Sequence, residues 1–142
     1  MLFRSSPLAG GLLTGKFDIE KPGPAGARRT TYDFPPVDII RTKTVIAALR
    51  SVSDETGISV PRVALAWILT RPFITSIIIG AKTPEQLRDN LGATDVRLAK
   101  EHVDRIDAAS ALPAEYPAWM VSRQHRDRQP VTQEKAEMTK AA

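Results

Sequence analysis

Cysteine is absent from the 142 residues, which removes disulfide staples, thiolate metal sites and a cysteine nucleophile together. Histidine occurs twice, too few to make a metal site on its own, so the chemistry expected here is metal-free. Aromatic side chains are scarce, with two Trp, two Tyr and four Phe. That leaves little for the aromatic-studded basic face on which single-stranded nucleic acid stacks. Long apolar runs are missing as well. The apolar residues come in short stretches, well below the roughly 20 needed to span a bilayer, so no membrane helix is expected. Residues 1–13 carry one Arg and are interrupted by Pro7, Gly10 and Gly11, a poor signal peptide, and the expected setting is the cytoplasm.

What remains is the composition of a soluble globular chain, 42% hydrophobic and 25% charged, at the size of one ordinary domain. The net charge of +4 is small and partly local to Arg123, Arg126 and Arg128 in a polar end that reads as solvated. Residues 1–17 read as a strand end followed by a Gly-rich turn reaching Lys16. Residues 18–38 hold Pro22, Gly23, Pro24, Gly26, Pro35 and Pro36, too broken for a helix or a central strand, and form a long loop of the kind that is either a functional lid or disordered. From Ile39 to Thr56, Val45, Ala48, Leu49 and Val52 recur at helical spacing and Gly57 stands where a left-handed cap belongs. Ser59 is placed to cap a second helix that is apolar nearly all round and so must be buried. Pro72 ends it, and the β-branched run over residues 74–79 predicts a strand covered on both faces. A last helix is predicted from about Ala99 to Ala111. The division expected is a globular part over 1–112 and a polar tail over 113–142.

Two junctions carry the chemistry. Each is a strand that ends in small residues and a loop, at Ser6 to Lys16 and at Gly80 to Asn90. In (β/α)₈ barrels the loops after the last two strands often bind phosphate. Gly80 lets a ligand approach the backbone, Thr83-Pro84-Glu85-Gln86 has the form of a capping box that opens a helix, and Lys82 adds a charge beside the exposed N–H groups. Gln86, Asp89 and Asn90, at i, i+3 and i+4, share one face and can hydrogen-bond an adenine or ribose. Spacing alone leaves a second reading open, in which Ser6, Gly10 and Lys16 belong to an ordinary Gly-rich turn, Gly80 and Thr83 only turn the chain and the three polar residues face solvent.

The segment Ser6-Pro7-Leu8-Ala9-Gly10-Gly11-Leu12-Leu13-Thr14-Gly15-Lys16 is similar to the stretch after the seventh barrel strand of aldo-keto reductases. Val63-Ala64-Leu65-Ala66-Trp67 resembles the helix before that family's eighth strand, and residues 78–91, from Ile78-Ile79-Gly80-Ala81-Lys82 to Asn90-Leu91, resemble its adenosine-phosphate grip. Pro113-Ala114-Glu115-Tyr116-Pro117-Ala118-Trp119-Met120 resembles the tail of some bacterial members, so the likeness runs from residue 5 to about 128. It implies an α/β chain forming the C-terminal part of a (β/α)₈ TIM barrel, about its last two β/α units and C-terminal helix, and hence an incomplete barrel. It also implies NADP(H) as cofactor. Ser6, Pro7, Leu8, Ala9 and Gly10 would line the pyrophosphate, and Lys16 with Arg28 or Arg29 would close the loop over it. Gly80 and Lys82 would lie near the 2′-phosphate, with Gln86, Asp89 and Asn90 at the adenosine end.

The family's catalytic Asp, Tyr, Lys and His belong to the first half of the barrel, so the resemblance assigns no catalytic residue here. Tyr32, Asp38, Lys43 and His102 have the right types but match no family motif. Ser5 replaces the aromatic that usually precedes the Ser-Pro-Leu motif and stacks on nicotinamide. The expected activity is NADPH-dependent reduction of aldehydes and ketones in a complete barrel, from what reads as a truncated or frameshifted frame or a mis-called start. The alternative is a non-catalytic nucleotide-binding half-barrel, self-associating through its exposed edges.

Overall fold

A computed structural model of the chain describes residues 3–17, 23–32, 36–113, 115–117, 120 and 124. In order these form β1 (Phe3–Ser5), a 3₁₀ segment (Ala9–Thr14), α1 (Arg28–Thr31), α2 (Ile39–Thr56), α3 (Val60–Leu69), β2 (Ser76–Ile78), α4 (Pro84–Leu91), a second 3₁₀ segment (Gly92–Asp95) and α5 (Lys100–Ser110). The chain divides into two units, Met1–Ala111 and Leu112–Ala142. Every element named here lies in the first.

The strands β1 and β2 pair in parallel, with Phe3 opposite Ser76, Arg4 opposite Ile77 and Ser5 opposite Ile78. The β-branched run predicts a strand over 74–79; among the described residues the ladder covers Ser76–Ile78. Nor are both faces covered. Ile77 and Ile79 pack on Leu65, Ala66 and Ala93, whereas Ile78 points away and is 58% exposed.

α2 has the length its apolar spacing predicts. Its start is fixed by Asp38, whose carboxylate accepts the Arg41 N–H at 3.0 Å, and its end by Gly57 at φ 68°, whose N–H donates to the Ser53 carbonyl at 2.8 Å. Its buried stripe is Thr42, Ile46, Leu49 and Val52, one position round from the Val45 and Ala48 that spacing favours. α3 explains its own all-round apolar character. Val63 and Ala64 join Leu49, Val52 and Ile106 in the α2–α3–α5 core, while Leu65 and Ala66 turn toward β2. Ser59 precedes α3 but makes no capping bond, because its hydroxyl donates to Asp89 instead. Residues 18–38 are not wholly without helix, since α1 forms one turn there.

Polar links fasten α5 to this core. Arg105 Nη1 donates to Ser51 Oγ at 2.8 Å and also to the Glu55 carboxylate. Trp67 Nε1 donates to Asp107 at 2.7 Å, and Arg71 lies 4.5 Å over the Trp67 ring while pairing with the same carboxylate. No helix among the described residues is long and apolar enough to cross a membrane.

Candidate functional site

Parallel pairing of Ser5 with Ile78 delivers the next residues of both strands, Ser6 and Ile79, to the same end of the sheet. A cavity of about 680 Å³ opens there, within the size range of ligand and cofactor pockets, about 300–1,000 Å³. Its wall includes Ser6, Pro7, Leu8, Gly10, Lys16, Gly80, Lys82, Gln86, Asp89 and Asn90. These are the residues singled out at the two junctions, apart from Ala9 and Arg28. Ala9 stands behind the wall, its carbonyl accepting from Arg29 Nη1 at 3.4 Å. The role expected of the Arg28 side chain lies outside the described residues.

The first junction is wound tightly. Ser6 has φ 53° and Ala9 φ 48°, left-handed values that cost a residue with a side chain about 1–2 kcal/mol each. Gly10 at 67° and Gly11 at 95° continue the coil without that penalty. Bonds from Ala9 N–H to Ser6 O and from Gly11 N–H to Leu8 O, both 2.9 Å, hold the turn. Leu12 drops into a core cluster with Phe17, Ala27 and Ile46, which ties the loop to α2. Lys16 returns over the turn with Nζ 5.6 Å from the centre of the Phe17 ring.

The second junction is braced by its own helix. Thr83 Oγ1 accepts the Gln86 N–H at 3.3 Å, as the capping box predicts. Gln86 reaches back one residue further than that motif, its Oε1 accepting the Lys82 N–H at 2.9 Å. Asn90 is buried, with Nδ2 3.5 Å from the Gly80 carbonyl. Lys82 Nζ crosses to the opposite loop and donates to the Gly26 carbonyl at 2.8 Å. Glu85 stays ionised at the start of α4, its carboxyl held below the usual range first by its own backbone N–H and then by the Thr83 hydroxyl.

Asp89 is employed structurally. Its Oδ2 accepts from Ser59 Oγ at 2.7 Å, its Oδ1 lies 3.1 Å from Arg62 Nη2, and Arg62 Nε donates to its carbonyl at 3.1 Å. Arg62 was not visible as a site residue from spacing. Its signal is Gly92, where an added Cβ would come within 2.7 Å of the Arg62 guanidinium carbon. Pro61 and residues 24–27 also join the wall unannounced, brought in by the entry of α3 and by the buried Ala27.

With Asp89 neutralised by Arg62, the cations Lys16 and Lys82 face the cavity from two sides, a donor set suited to a ligand carrying phosphate. None of Tyr32, Asp38, Lys43 and His102 lines it. Tyr32 is exposed, Asp38 caps α2, and His102 Nε2 on α5 lies 3.3 Å from Glu55. Among the described residues no group of three or more His, Asp or Glu is placed to hold a metal ion.

The chain is similar to uncharacterized oxidoreductases. It is 36% identical over 108 residues to one from Mycobacterium tuberculosis and to one from Mycobacterium bovis, covering 75% of this chain and 33% of each relative. It is 39% identical over 96 residues to the uncharacterized oxidoreductase YrpG of Bacillus subtilis, covering 68% of this chain and 28% of that protein. The family model described as Aldo/keto reductase family matches residues 2–111, and the chain belongs to that family. It spans about a third of the length of these curated relatives.

Proposed function

We propose that the cavity grips NADP(H) and that the chain contributes this grip to an NADPH-dependent reductase of aldehydes or ketones. The single observation that carries the reading is the convergence of both junctions on one cavity with Lys16 and Lys82 on its wall. Ser6, Pro7, Leu8, Ala9 and Gly10 line the pyrophosphate in this reading, and Lys16 with Arg28 or Arg29 covers it. Gly80 and Lys82 meet the 2′-phosphate. Gln86 and Asn90 meet the adenosine end, and Asp89 serves by holding α4 against the start of α3 through Ser59 and Arg62. The cofactor, when bound, supplies the hydride for carbonyl reduction. The proton donor belongs to the part of a complete barrel outside this chain, and the setting is the cytoplasm.

Titration of the 142-residue chain with NADPH and NADH, followed by Trp67 fluorescence, tests the grip. Lys82→Glu removes one charge-assisted contact and sets a like charge beside the 2′-phosphate, so NADPH affinity is expected to fall about 10- to 100-fold. NADH affinity should change little. Equal losses for both nucleotides would remove Lys82 from the 2′-phosphate, and no saturable binding of either would remove the nucleotide reading.

A second reading, a non-catalytic half-barrel that self-associates, is favoured by the exposure of Ile78 and Phe73, each 58%, at and just before β2.

A further inference from the structure

Lys16 stands between two anchored neighbours. On its C-terminal side Phe17 is buried with Leu12, Ala27 and Ile46. On its N-terminal side Gly15 closes the first 3₁₀ segment at φ 77°, a left-handed value that favours glycine, and is held from two helices at once. Arg50 of α2 donates from Nη2 to the Gly15 carbonyl at 2.6 Å. Val60, the first residue of α3, lies so close that a Cβ on Gly15 would stand 3.4 Å from both its γ-methyls. From this mount the Lys16 side chain folds back over the turn, its Cε and Nζ each 3.5 Å from the place a Cβ on Gly11 would take.

The bond from Arg50 falls on a telling atom. The Gly15 carbonyl belongs to the peptide that joins Gly15 to Lys16, so holding its oxygen fixes the plane from which the Lys16 side chain departs. Glycine gives the peptides beside it the widest choice of orientation, which makes this plane the freest point between Thr14 and Phe17 unless something outside the loop restrains it. Arg50 supplies that restraint with a charge-assisted bond. It is exposed and is not on the cavity wall, and α2 has its own caps and its own buried stripe, so the cohesion of the helix does not depend on it.

We propose that Arg50 is a positioning residue for the nucleotide grip, aiming Lys16 at the pyrophosphate by fixing the Gly15–Lys16 peptide. The proposal rests on the reading of the cavity as an NADP(H) site. Arg50 touches no ligand in this arrangement. Its influence passes through Lys16 alone and reaches only ligands that carry the group Lys16 covers.

Isothermal titration calorimetry of the 142-residue chain tests this with two probes, NADPH and adenosine 2′-monophosphate, the second lacking the pyrophosphate. Lys16→Met should weaken NADPH about ten-fold, the effect of losing one charge-assisted contact, and Arg50→Met about three- to five-fold. Arg50→Gln, too short to reach the carbonyl, should match Arg50→Met, and circular dichroism should show wild-type helix content in every variant. Adenosine 2′-monophosphate should bind all of them as it binds wild type. The double variant should bind NADPH no more weakly than Lys16→Met, because the two changes act on one contact. Additive losses would make Arg50 an independent charge and overturn the proposal, as would unchanged NADPH affinity in Arg50→Met or an equal loss for both probes. NADPH binding that is indifferent to Lys16→Met also overturns it, while leaving the nucleotide site in place. Wild type that binds neither probe removes the nucleotide reading and the role of Arg50 with it.

Discussion

Arg62 makes two contacts with Asp89, to its carboxylate and to its carbonyl, because Gly92 leaves it room, so a side chain far from any ligand contact sets where α4 lies. Gly92→Ala would place a methyl within 2.7 Å of the guanidinium and push it off Asp89. The displaced group is the end of a flexible chain, so the cost is chiefly the lost partner, about 1 kcal/mol for a partly exposed charged pair. Arg62→Ala should cost a similar amount. Because both changes break the same link, the double variant should be little worse than either single one, as a double-mutant cycle of thermal stability would reveal. Additive losses would mean that Gly92 matters for some reason other than Arg62. Spacing and small residues single out Gly80, Lys82, Gln86 and Asn90, which line one cavity, but they do not single out Arg62, whose role exists only once α3 and α4 lie side by side.

At the scale of elements, α2 and α5 are joined by a surface cluster in which Glu55 takes Arg105 and faces His102. The Arg105 hydrogen bond, then that of Ser51, holds the Glu55 carboxyl below its ordinary value of 4.5. A carboxyl depressed by folding adds stability above its unfolded pKa and loses that contribution as pH falls through the lower folded value. Acid should therefore loosen α5 from α2 below about pH 4.5, the reference value from which Glu55 is lowered. Glu55→Gln should flatten that part of the acid limb in thermal melts followed by circular dichroism. An unchanged acid limb would assign it to other carboxylates. Helices were the most legible elements, because periodicity and the Gly57 cap are local signals. Ser59 has the local form of a capping residue, but its hydroxyl donates across the fold to Asp89. A β-branched run records propensity, whereas a ladder depends on a partner, and among the described residues it covers Ser76–Ile78.

The first unit as a whole has a finished side and an open side. Ile77 of β2 packs against α3, while Ile78, at the edge of the cavity, and Phe73 remain at the surface. If that side recruits a second copy, sedimentation velocity of the 142-residue chain should show a concentration-dependent dimer, and Ile78→Lys should shift it toward monomer. A monomer at all concentrations would discard the self-associating reading.

Two strands of three residues are too short to stay aligned unaided. Their register is lent by α3, whose Leu65 and Ala66 support β2 while its Val63 and Ala64 lock into α2 and α5. Occupancy of the cavity and cohesion of the helical core are therefore thermodynamically linked. A molecule bridging the ends of β1 and β2 raises the melting temperature of helices it never touches, and a cavity-forming change at Leu49 weakens the hold on that molecule from across the fold.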